Sequence, residues 1–383
     1  MPSGFQNFDR FAWARSLHTT MPKLLREVED TAKKNFQIMA LLESAGRIST
    51  GHGGEGIQWP VRYKNHKAVG ATGENSRNFT PTNLFKTASL DYRGYEVTDS
   101  IKRREMEKNK GESAIIKVLD GFAERLKESL LQELAPQFYI DGEDPENERF
   151  WHGFKTLSRT NGQTLNIDGS GARSKNAADK AAAPSGSYGN LSCVLGTYGG
   201  SQDSSAPWPE ATQDAQYDFW SPLVVQRDSS SFSGSGGAQL EKALRYGITH
   251  AQRNSTIDGQ ITNVFMDRNL FIDLKDHNDG RQTIEVKNSP DSLISLGFRN
   301  VFRFDGIELG FENAVPVGYA FGINLACMEL MGLTSGGLFE DEGGPQYDIN
   351  TQSMNAVVST LSNIKYKSPR NFVVWKPNSE HTS

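Results

Sequence analysis

The sequence of 383 residues contains only two cysteines and no excess of positive charge. Cys193 and Cys327 lie far apart in the chain. They therefore give neither a disulfide framework nor the paired spacing of a zinc site, and this usage fits a reducing cytosol. The 46 acidic residues outnumber the 41 lysines and arginines, which gives a net charge of -5. Because dedicated nucleic-acid binders are usually basic, we expect no tight DNA readout, whereas weak contact with DNA is compatible with this charge.

Long apolar runs are also scarce, since hydrophobic residues make up 36% of the chain. The most apolar stretch, residues 314–332, contains Asn324, Glu329 and several glycines. This composition predicts a strand and a turn rather than a membrane helix. The N-terminus has no basic start followed by an apolar block, so no signal peptide and no membrane partner are expected.

Sequence motifs of the common enzyme classes are missing around the most conspicuous segment, STGHGGEGIQWPVRYK (49–64). A phosphate-binding loop needs G-x-x-x-x-G-K-[ST] between a strand and a helix, but these glycines lead into an alternating strand. A hydrolase oxyanion loop needs a serine in a G-x-S-x-G turn, and the sequence has none. A hydrolase that uses His52 is therefore only a remote alternative, and no catalytic residue is predicted. The glycines in question are Gly51, Gly53, Gly54 and Gly56.

Metal-binding patterns are equally scarce. There is no H-E-x-x-H motif, and the segment DHNDG (276–280) begins like a calcium loop but has Lys287 where a bidentate glutamate is required. The acidic segment DGEDPENE (141–148) contains Pro145 and has the wrong spacing, which predicts a turn with a solvated face. We expect neither a metal nor a cofactor.

Three segments have the apolar spacing of amphipathic helices. The first such segment is 21–44, where Pro22 suits the first turn of a helix. The strongest pattern covers 112–134, with an apolar stripe opposite a charged face, and a third helix is expected over 238–253. The segment 5–18, ahead of the first helix, is aromatic and basic, so we expect it to lie on something else.

Alternating apolar and polar residues predict a long two-stranded hairpin. One alternating run covers 57–63, and a second covers 84–97 with a slip at Gly94 that predicts a β-bulge. The polar segment 65–83 between them is long for a loop in a compact domain, which favours function or exposure. The aromatic side chains cannot all be buried by two short strands, so they pack either elsewhere on the same chain or on another subunit. These are Trp59, Tyr63, Phe79 and Phe85.

The remaining segments are mainly extended. Residues 160–237 are rich in small and polar residues, and an Asp-Gly pair at 305–306 between two apolar runs predicts a hairpin turn. Two further extended segments, 355–367 and 371–376, close the chain. Long helices and strands without β-α-β alternation predict the α+β class.

This order of elements resembles the major capsid protein of tailed bacteriophages, the Hong Kong 97-like fold. The most telling pieces are the helix 112–134 running into FYIDGEDPENERFWHGFKTL (138–157), and the tail NIKYKSPRNFVVWKP (363–377). The resemblance covers nearly the whole chain. It rests on the order of the elements, because none of these pieces is a strict motif.

The resemblance implies a division of the chain into family domains and a role for the glycines. In that family an extended loop, the E-loop, lies across the neighbouring subunit, so the four glycines of 51–56 are expected to be a hinge at its root. The implied domains are an N-terminal arm (1–46), the E-loop (47–98), a peripheral domain with a long spine helix (99–153), an axial domain (154–350) with an insertion at 160–237, and peripheral closing strands (351–383).

The resemblance also implies a function without catalysis. The chain is expected to assemble into hexamers and pentamers of the icosahedral head of a tailed double-stranded DNA phage, in the host cytoplasm, and to remain in the virion. Portal and scaffolding proteins are expected partners, a decoration protein is compatible with the pattern, and the packaged DNA is contacted weakly through the arm. The expected DNA-facing residues are Arg10, Arg15, Lys23 and Arg26.

Two alternatives stay open at the level of the resemblance. Encapsulin-type compartments share the fold, so a shell that encloses an enzyme is the runner-up function. One branch of the family joins subunits covalently, which would need Lys64 or Lys67 together with Asn363 or Asn371 and a nearby carboxylate. Lysines on a solvated hairpin are ordinarily only solubilising, so non-covalent contacts are expected.

Overall fold

The computed structural model describes residues 10–63, 85–108, 112–165, 180–194, 197–198, 219–252, 260–278, 293, 296, 301–335, 337–341, 343 and 346–378. The helices within these ranges are α1 (Arg10–Asn35), α2 (Gln37–Ser44), α3 (Arg103–Lys108), α4 (Glu112–Gln137), α5 (Gly237–Ala251) and α6 (Arg268–Asn278). Short 3₁₀ turns cover Pro145–Asn147, Phe154–Ser158, Leu325–Cys327 and Pro369–Asn371.

The strands of the first half of the chain are β1 (Ile48–Ser49), β2 (Ile57–Arg62), β3 (Phe85–Leu90), β4 (Glu96–Lys102), β5 (Thr160–Leu165), β6 (Ala181–Pro184), β7 (Ser187–Tyr188) and β8 (Leu191–Ser192). Those of the second half are β9 (Leu223–Gln226), β10 (Asn263–Met266), β11 (Val301–Phe304), β12 (Ile307–Phe311), β13 (Ala320–Ile323), β14 (Met328–Gly332), β15 (Glu340–Asp341), β16 (Gln346–Asp348), β17 (Ser353–Ser359), β18 (Ser362–Tyr366) and β19 (Val373–Lys376).

The chain forms two compact units, and each consists of several separate segments. The first unit comprises Met1–Glu55, Tyr92–His152 and Leu330–Ile364. The second unit comprises Gly56–Asp91, Gly153–Glu329 and Lys365–Ser383. These units divide the chain at other residues than the domains implied by the family resemblance, whose boundaries stay predictions.

The N-terminal helices of the first unit differ from the single predicted helix 21–44. Phe36 has an extended conformation (φ -100°, ψ 120°) and separates α1 from α2. α1 begins at Arg10, so Pro22 lies inside the helix instead of in its first turn. A proline inside a helix costs about 3 kcal/mol. Burial of each large apolar neighbour returns about 1.5–3 kcal/mol and offsets that cost. The buried neighbours are Met21, Leu24 and Val28.

The long helix α4 confirms the prediction for residues 112–134 and continues to Gln137. Its buried side chains recur every four residues, as the apolar stripe requires, and this stripe packs in the core of the first unit, where α4 contacts α1. Lys127 and Glu27 join the two helices by an ion pair of 2.5 Å. The buried stripe consists of Phe122, Leu126, Leu130 and Leu134.

The sheet of the first unit corrects the predicted bulge at Gly94. Strand β4 does not continue β3; it pairs antiparallel with β17, from Glu96 opposite Ser359 to Lys102 opposite Ser353. A Cβ atom on Gly94 would lie 1.5 Å from the carbonyl oxygen of Thr360. The alternation slips here because the backbone of Gly94 passes directly against the connection between β17 and β18, where no larger residue fits.

The second unit is built on an eight-stranded mixed sheet with the order β11-β12-β10-β13-β19-β9-β6-β5. The predicted turn at 305–306 is confirmed, since Phe304 faces Ile307 across it, with φ of 47° at Asp305 and 83° at Gly306. Asp and Gly tolerate this left-handed conformation, which matches the twist of a two-residue hairpin. The last strand along the chain, β19, lies in the interior of this sheet, between β13 and β9.

The core of the second unit lies between this sheet and the helices α5 and α6. Trp375 of β19 is fully buried there, and its indole Nε1 donates a 2.8 Å hydrogen bond to the carbonyl of Ala243. A Cβ atom on Gly247 of α5 would lie 2.5 Å from the same indole ring. The glycine therefore sets how closely α5 approaches the sheet.

Candidate functional site

The glycine-rich stretch after β1 uses its glycines for two different reasons. Gly51 and Gly54 have φ of 81° and 126°, which side chains with a Cβ atom rarely adopt. Gly56 is required for space, because a Cβ atom there would lie 2.8 Å from the carbonyl oxygen of Leu90. Gly53 meets neither condition. The stretch therefore has three constrained positions, and its role as a hinge stays a prediction.

His52 lies in this stretch, and no described residue is placed beside its ring as the partner of a catalytic histidine. Its backbone N–H donates to the carbonyl of Gly332 at 3.2 Å, and its carbonyl accepts from the hydroxyl of Tyr92 at 3.3 Å. The buried ring atom Nε2 makes no hydrogen bond within the described part of the chain. A histidine that activates a nucleophilic side chain lies within hydrogen-bond distance of that hydroxyl or thiol. The geometry thus gives the remote hydrolase alternative no support.

Trp59 of β2 differs from the expectation that it contacts another subunit. Its side chain is 4% exposed, and its ring lies 6.2 Å from that of Tyr188 and 6.5 Å from that of Trp220. The indole Nε1 donates to the carbonyl of Lys367 at 3.2 Å. Because so little of Trp59 remains exposed within its own chain, this residue anchors the hairpin in the second unit and offers almost no surface to a neighbour.

The other end of the hairpin has a different surface. Phe85 is 55% exposed, which leaves a large aromatic face in solvent. Tyr63 is only partly buried, packs edge-on against Tyr198 at 6.4 Å, and has the Lys86 ammonium 5.6 Å from its ring. Phe79 lies outside the described residues. Contact with another subunit therefore stays a prediction for Phe85 and Tyr63, whereas Trp59 is too buried in its own chain to make one.

The predicted DNA-facing residues lie on α1. Lys23 and Arg26 are exposed, whereas the side chains of Arg10 and Arg15 lie outside the described residues. Acidic residues alternate with these cations, and Glu29 is paired with Lys33 at 3.0 Å. The local surface is therefore mixed in charge rather than strongly basic, which suits weak contact with phosphates.

A buried polar cluster at the acidic segment was missed by the sequence reasoning. His152 is 2% exposed, and its Nε2 lies 3.2 Å from Oε1 of Glu143 while its Nδ1 lies 2.9 Å from Nδ2 of Asn363. The oxygen Oδ1 of Asn363 accepts the backbone N–H groups of His152 (3.0 Å) and Ile364 (2.9 Å). We call these residues, Glu143, His152 and Asn363, the His152 cluster.

The hydrogen bonds of the His152 cluster determine which nitrogen carries the proton in the neutral imidazole. Because Oδ1 of Asn363 accepts two backbone N–H groups, the amide orientation is set and Nδ2 must be the donor. Nδ1 of His152 is then the acceptor, so the proton of the neutral ring sits on Nε2 and is donated to Glu143. The acidic segment is a turn, as predicted, but one of its carboxylates is tied to a buried histidine.

A second buried cluster surrounds Trp59 and contains mainly aromatic rings. Tyr188 is stacked on Trp220 with 6.1 Å between centroids, and it lies 5.2 Å from Tyr366. Burial raises the pKa of Tyr188 and of Tyr366 well above the ordinary value of a tyrosine. The hydroxyl of Tyr188 accepts the backbone N–H of Tyr366 at 2.8 Å, whereas the hydroxyl of Tyr366 makes no hydrogen bond to described residues. We call these four residues the Trp59 cluster.

The described residues were also searched for metal-binding groups and for membrane-spanning helices. Among the described residues, no group of three or more His, Cys, Asp and Glu is placed to hold a metal ion. Within the same ranges, no helix is long and apolar enough to span a bilayer. Cys193 and Cys327 are both buried, and neither forms a disulfide bond.

Comparison with known proteins gives a result for the fold but none for the sequence. No protein-family model and no curated protein matches the chain. A chain of the cyanophage A-1(L) capsid asymmetric unit is similar in structure, with a TM-score of 0.55, 11% identity, and coverage of 89% of this chain and 92% of that one. A chain from the capsid of a native GTA particle has a TM-score of 0.48 and 10% identity, covering 89% of this chain and 90% of that one. The predicted α+β class with the Hong Kong 97-like capsid architecture is confirmed at the level of the fold.

Proposed function

We propose that this chain, which has the Hong Kong 97-like fold, is the major capsid protein of a tailed double-stranded DNA bacteriophage. Many copies assemble into the hexamers and pentamers of an icosahedral head that encloses the genome. The supporting observation is the likeness to a cyanophage capsid chain over nearly the full length of both chains. Since this likeness concerns the fold, the function itself is the proposal.

The hairpin β2–β3 supplies the contact surface that this function needs. Its Trp59 end is held in the subunit, while Phe85 presents an exposed aromatic ring that a neighbouring copy could cover. Aromatic residues are favoured at protein interfaces, and closed symmetry repeats each such contact throughout a shell. In this role the glycines of 51–56 form the hinge at the root of the E-loop, which must adjust when shells mature.

The remaining partners follow from the same proposal. Scaffolding and portal proteins take part in assembly in the host cytoplasm, a decoration protein binds the outside where the phage encodes one, and the packaged DNA meets Lys23 and Arg26 only weakly. Weak contact is functional, because a strongly basic lining would resist both packaging and ejection. The role is structural, and the chain performs no reaction.

Electron microscopy of the purified full chain, produced alone and with its scaffolding protein, tests the proposal. We expect closed icosahedral particles, and a chain that stays monomeric at high concentration with scaffold present would rule the proposal out. The contents of particles separate the two shell functions. A portal-bearing head that packages DNA supports the capsid, whereas an enclosed enzyme supports the encapsulin-type alternative.

The subunits of the shell are joined by non-covalent contacts in this proposal. Both asparagines considered for a cross-link are buried, and their amides are occupied: Nδ2 of Asn363 faces His152, and Nδ2 of Asn371 donates to Sγ of Cys327 at 3.3 Å. Lys64 and Lys67 lie outside the described residues. Boiling particles in detergent should release a single 42.4 kDa band, and a ladder of multimers would contradict this part of the proposal.

A further inference from the structure

An open cavity of about 370 Å³ in the second unit has an unusual set of lining residues. It lies between the loop 231–233, the side of α5 and Lys180. Four of the nine lining residues are lysine, arginine or histidine, three are serine or threonine, and none is a carboxylate. This basic cavity stands out on a chain whose net charge is -5.

The two lysines of the cavity have no anionic partner among the described residues. The Lys180 ammonium lies 5.8 Å from the centre of the Phe232 ring and 5.4 Å from that of Tyr246, and it makes no ion pair with any described residue. The Lys242 ammonium donates to the carbonyl and the hydroxyl of Ser233, both at 2.6 Å. An ammonium has three N–H donors, so as far as the described residues go Lys242 keeps one and Lys180 keeps all three for a ligand.

The arginine of the cavity is already engaged by carboxylates. Nε of Arg245 lies 3.1 Å from Oδ2 of Asp305, and its Nη2 lies 3.1 Å from Oε1 of Glu241. Two carboxylates therefore already face the positive charge of this guanidinium, which keeps three of its five N–H donors. The positive charge that no carboxylate of the described residues faces is that of the two lysines, and hydroxyl groups lie beside it.

We propose that this cavity binds a phosphate group. Lys180 and Lys242 supply two positive charges that match the charge of a phosphate, and the hydroxyls of Ser231 and Thr249 line the same space as further donors. The aromatic rings next to Lys180 hold its ammonium in place without neutralising its charge. Little side-chain conformational entropy is therefore lost when a ligand binds. The phosphate comes either from a free inorganic ion or from the backbone of a nucleic acid, since both present the same oxygens.

Calorimetric titration of the full chain with inorganic pyrophosphate, citrate and a short single-stranded oligodeoxynucleotide tests this proposal. We expect pyrophosphate to bind more tightly than citrate, which carries similar charge on planar carboxylates. The double variant Lys180→Gln/Lys242→Gln should weaken pyrophosphate binding at least about tenfold, because hydrogen bonds to charged groups are among the stronger ones. An oligonucleotide that binds more tightly and is displaced by pyrophosphate identifies the backbone as the source, and one that binds no better identifies the free ion.

Lys275→Gln is the matched control, since Lys275 is an exposed lysine on α6 and does not line the cavity. It should leave pyrophosphate binding unchanged. The proposal is overturned if pyrophosphate fails to bind at millimolar concentration, if citrate binds equally well, or if the control loses as much affinity as the double variant. Each of these results is independent of whether the chain forms a shell.

Discussion

The His152 cluster of the first unit and the Trp59 cluster of the second unit are both buried, but different forces hold them. In the His152 cluster each polar atom has an assigned role, and the ring contributes through its two nitrogens. In the Trp59 cluster four large rings fill space, and few hydrogen bonds accompany them. The hydrogen bonds of the first cluster specify a single arrangement of its side chains, whereas the buried rings of the second contribute mainly to the free energy of unfolding.

Truncation in the aromatic cluster should have the largest effect on stability. Trp59→Ala removes a buried indole that touches two other rings, and the lost burial together with the cavity should lower the free energy of unfolding by about 3–5 kcal/mol. Urea unfolding of the unassembled chain measures this. Phe85→Ala on the same hairpin is the control, because an exposed side chain should change stability by less than about 0.5 kcal/mol. Equal losses in the two variants would contradict the anchoring role of Trp59.

Removal of the amide in the polar cluster should be the next most damaging change. Asn363→Ala removes the acceptor of two backbone N–H groups and the donor to Nδ1 of His152 in a buried site, which should cost about 3 kcal/mol. Urea unfolding again gives the magnitude. A fully stable variant would show that water replaces the amide and that the cluster has no specifying role.

The polar cluster should also respond to the identity of the amide. Asn363→Asp places an acceptor where Nδ2 donates, so Nδ1 of His152 must carry a proton to keep its hydrogen bond. The ¹⁵N shifts of His152 at neutral pH should show the Nε2-protonated neutral ring in the wild type and a doubly protonated ring in the variant. A wild-type ring protonated on Nδ1 would overturn the assigned orientation.

The two tyrosines of the aromatic cluster should differ in a smaller effect. Tyr188→Phe removes the acceptor of the buried Tyr366 N–H and should cost about 1–3 kcal/mol. Tyr366→Phe removes a hydroxyl that bonds to no described residue, so it should be neutral or slightly stabilising. The comparison of midpoints in urea decides this, and the reverse order would contradict the hydrogen bonding described for the pair.

The same two tyrosines should make the stability of the chain depend on pH in the alkaline range, and this effect should be smaller still. Burial raises their pKa in the folded chain, so the unfolded chain releases its phenolic protons first, near pH 10. The contribution of each tyrosine to the free energy of unfolding is therefore fully present below about pH 10. It falls as the pH rises, by about 1 kcal/mol per group over the first pH unit above 10. Tyr366→Phe should lessen this loss, and an identical pH dependence in both proteins would contradict it.

Periodic segments were the part of the fold that the sequence predicted well. The stripe of α4, the alternation of β2 and the turn at 305–306 each depend on contacts between near neighbours in the chain. Single residues with several acceptable environments were harder to place. The slip at Gly94 fits a bulge as well as a close approach to another segment of backbone, and only the carbonyl of Thr360 distinguishes the two.

The residues of the candidate sites were also hard to place from the sequence alone. An aromatic residue on a short hairpin can bury itself in its own chain or in a neighbour, and the pattern of β2 is identical in both cases. The ring of Trp59 lies against Tyr188 and Trp220, which are more than a hundred positions away. The glycines were recognisable, but which of them need positive φ and which need space became apparent only from their surroundings.

The class of the fold, the long helix α4 and the order of elements that resembles phage capsid proteins could be predicted from the sequence. The packing of distant segments was needed to show that Trp59 is internal, that Gly94 lies against the backbone of Thr360, and that His152 meets Asn363, 211 residues away. The reason is physical. Helical and strand periodicity arise from local backbone geometry, which every short segment carries within itself. The environment of a single side chain depends on distant segments, and their approach is fixed only when the whole core packs.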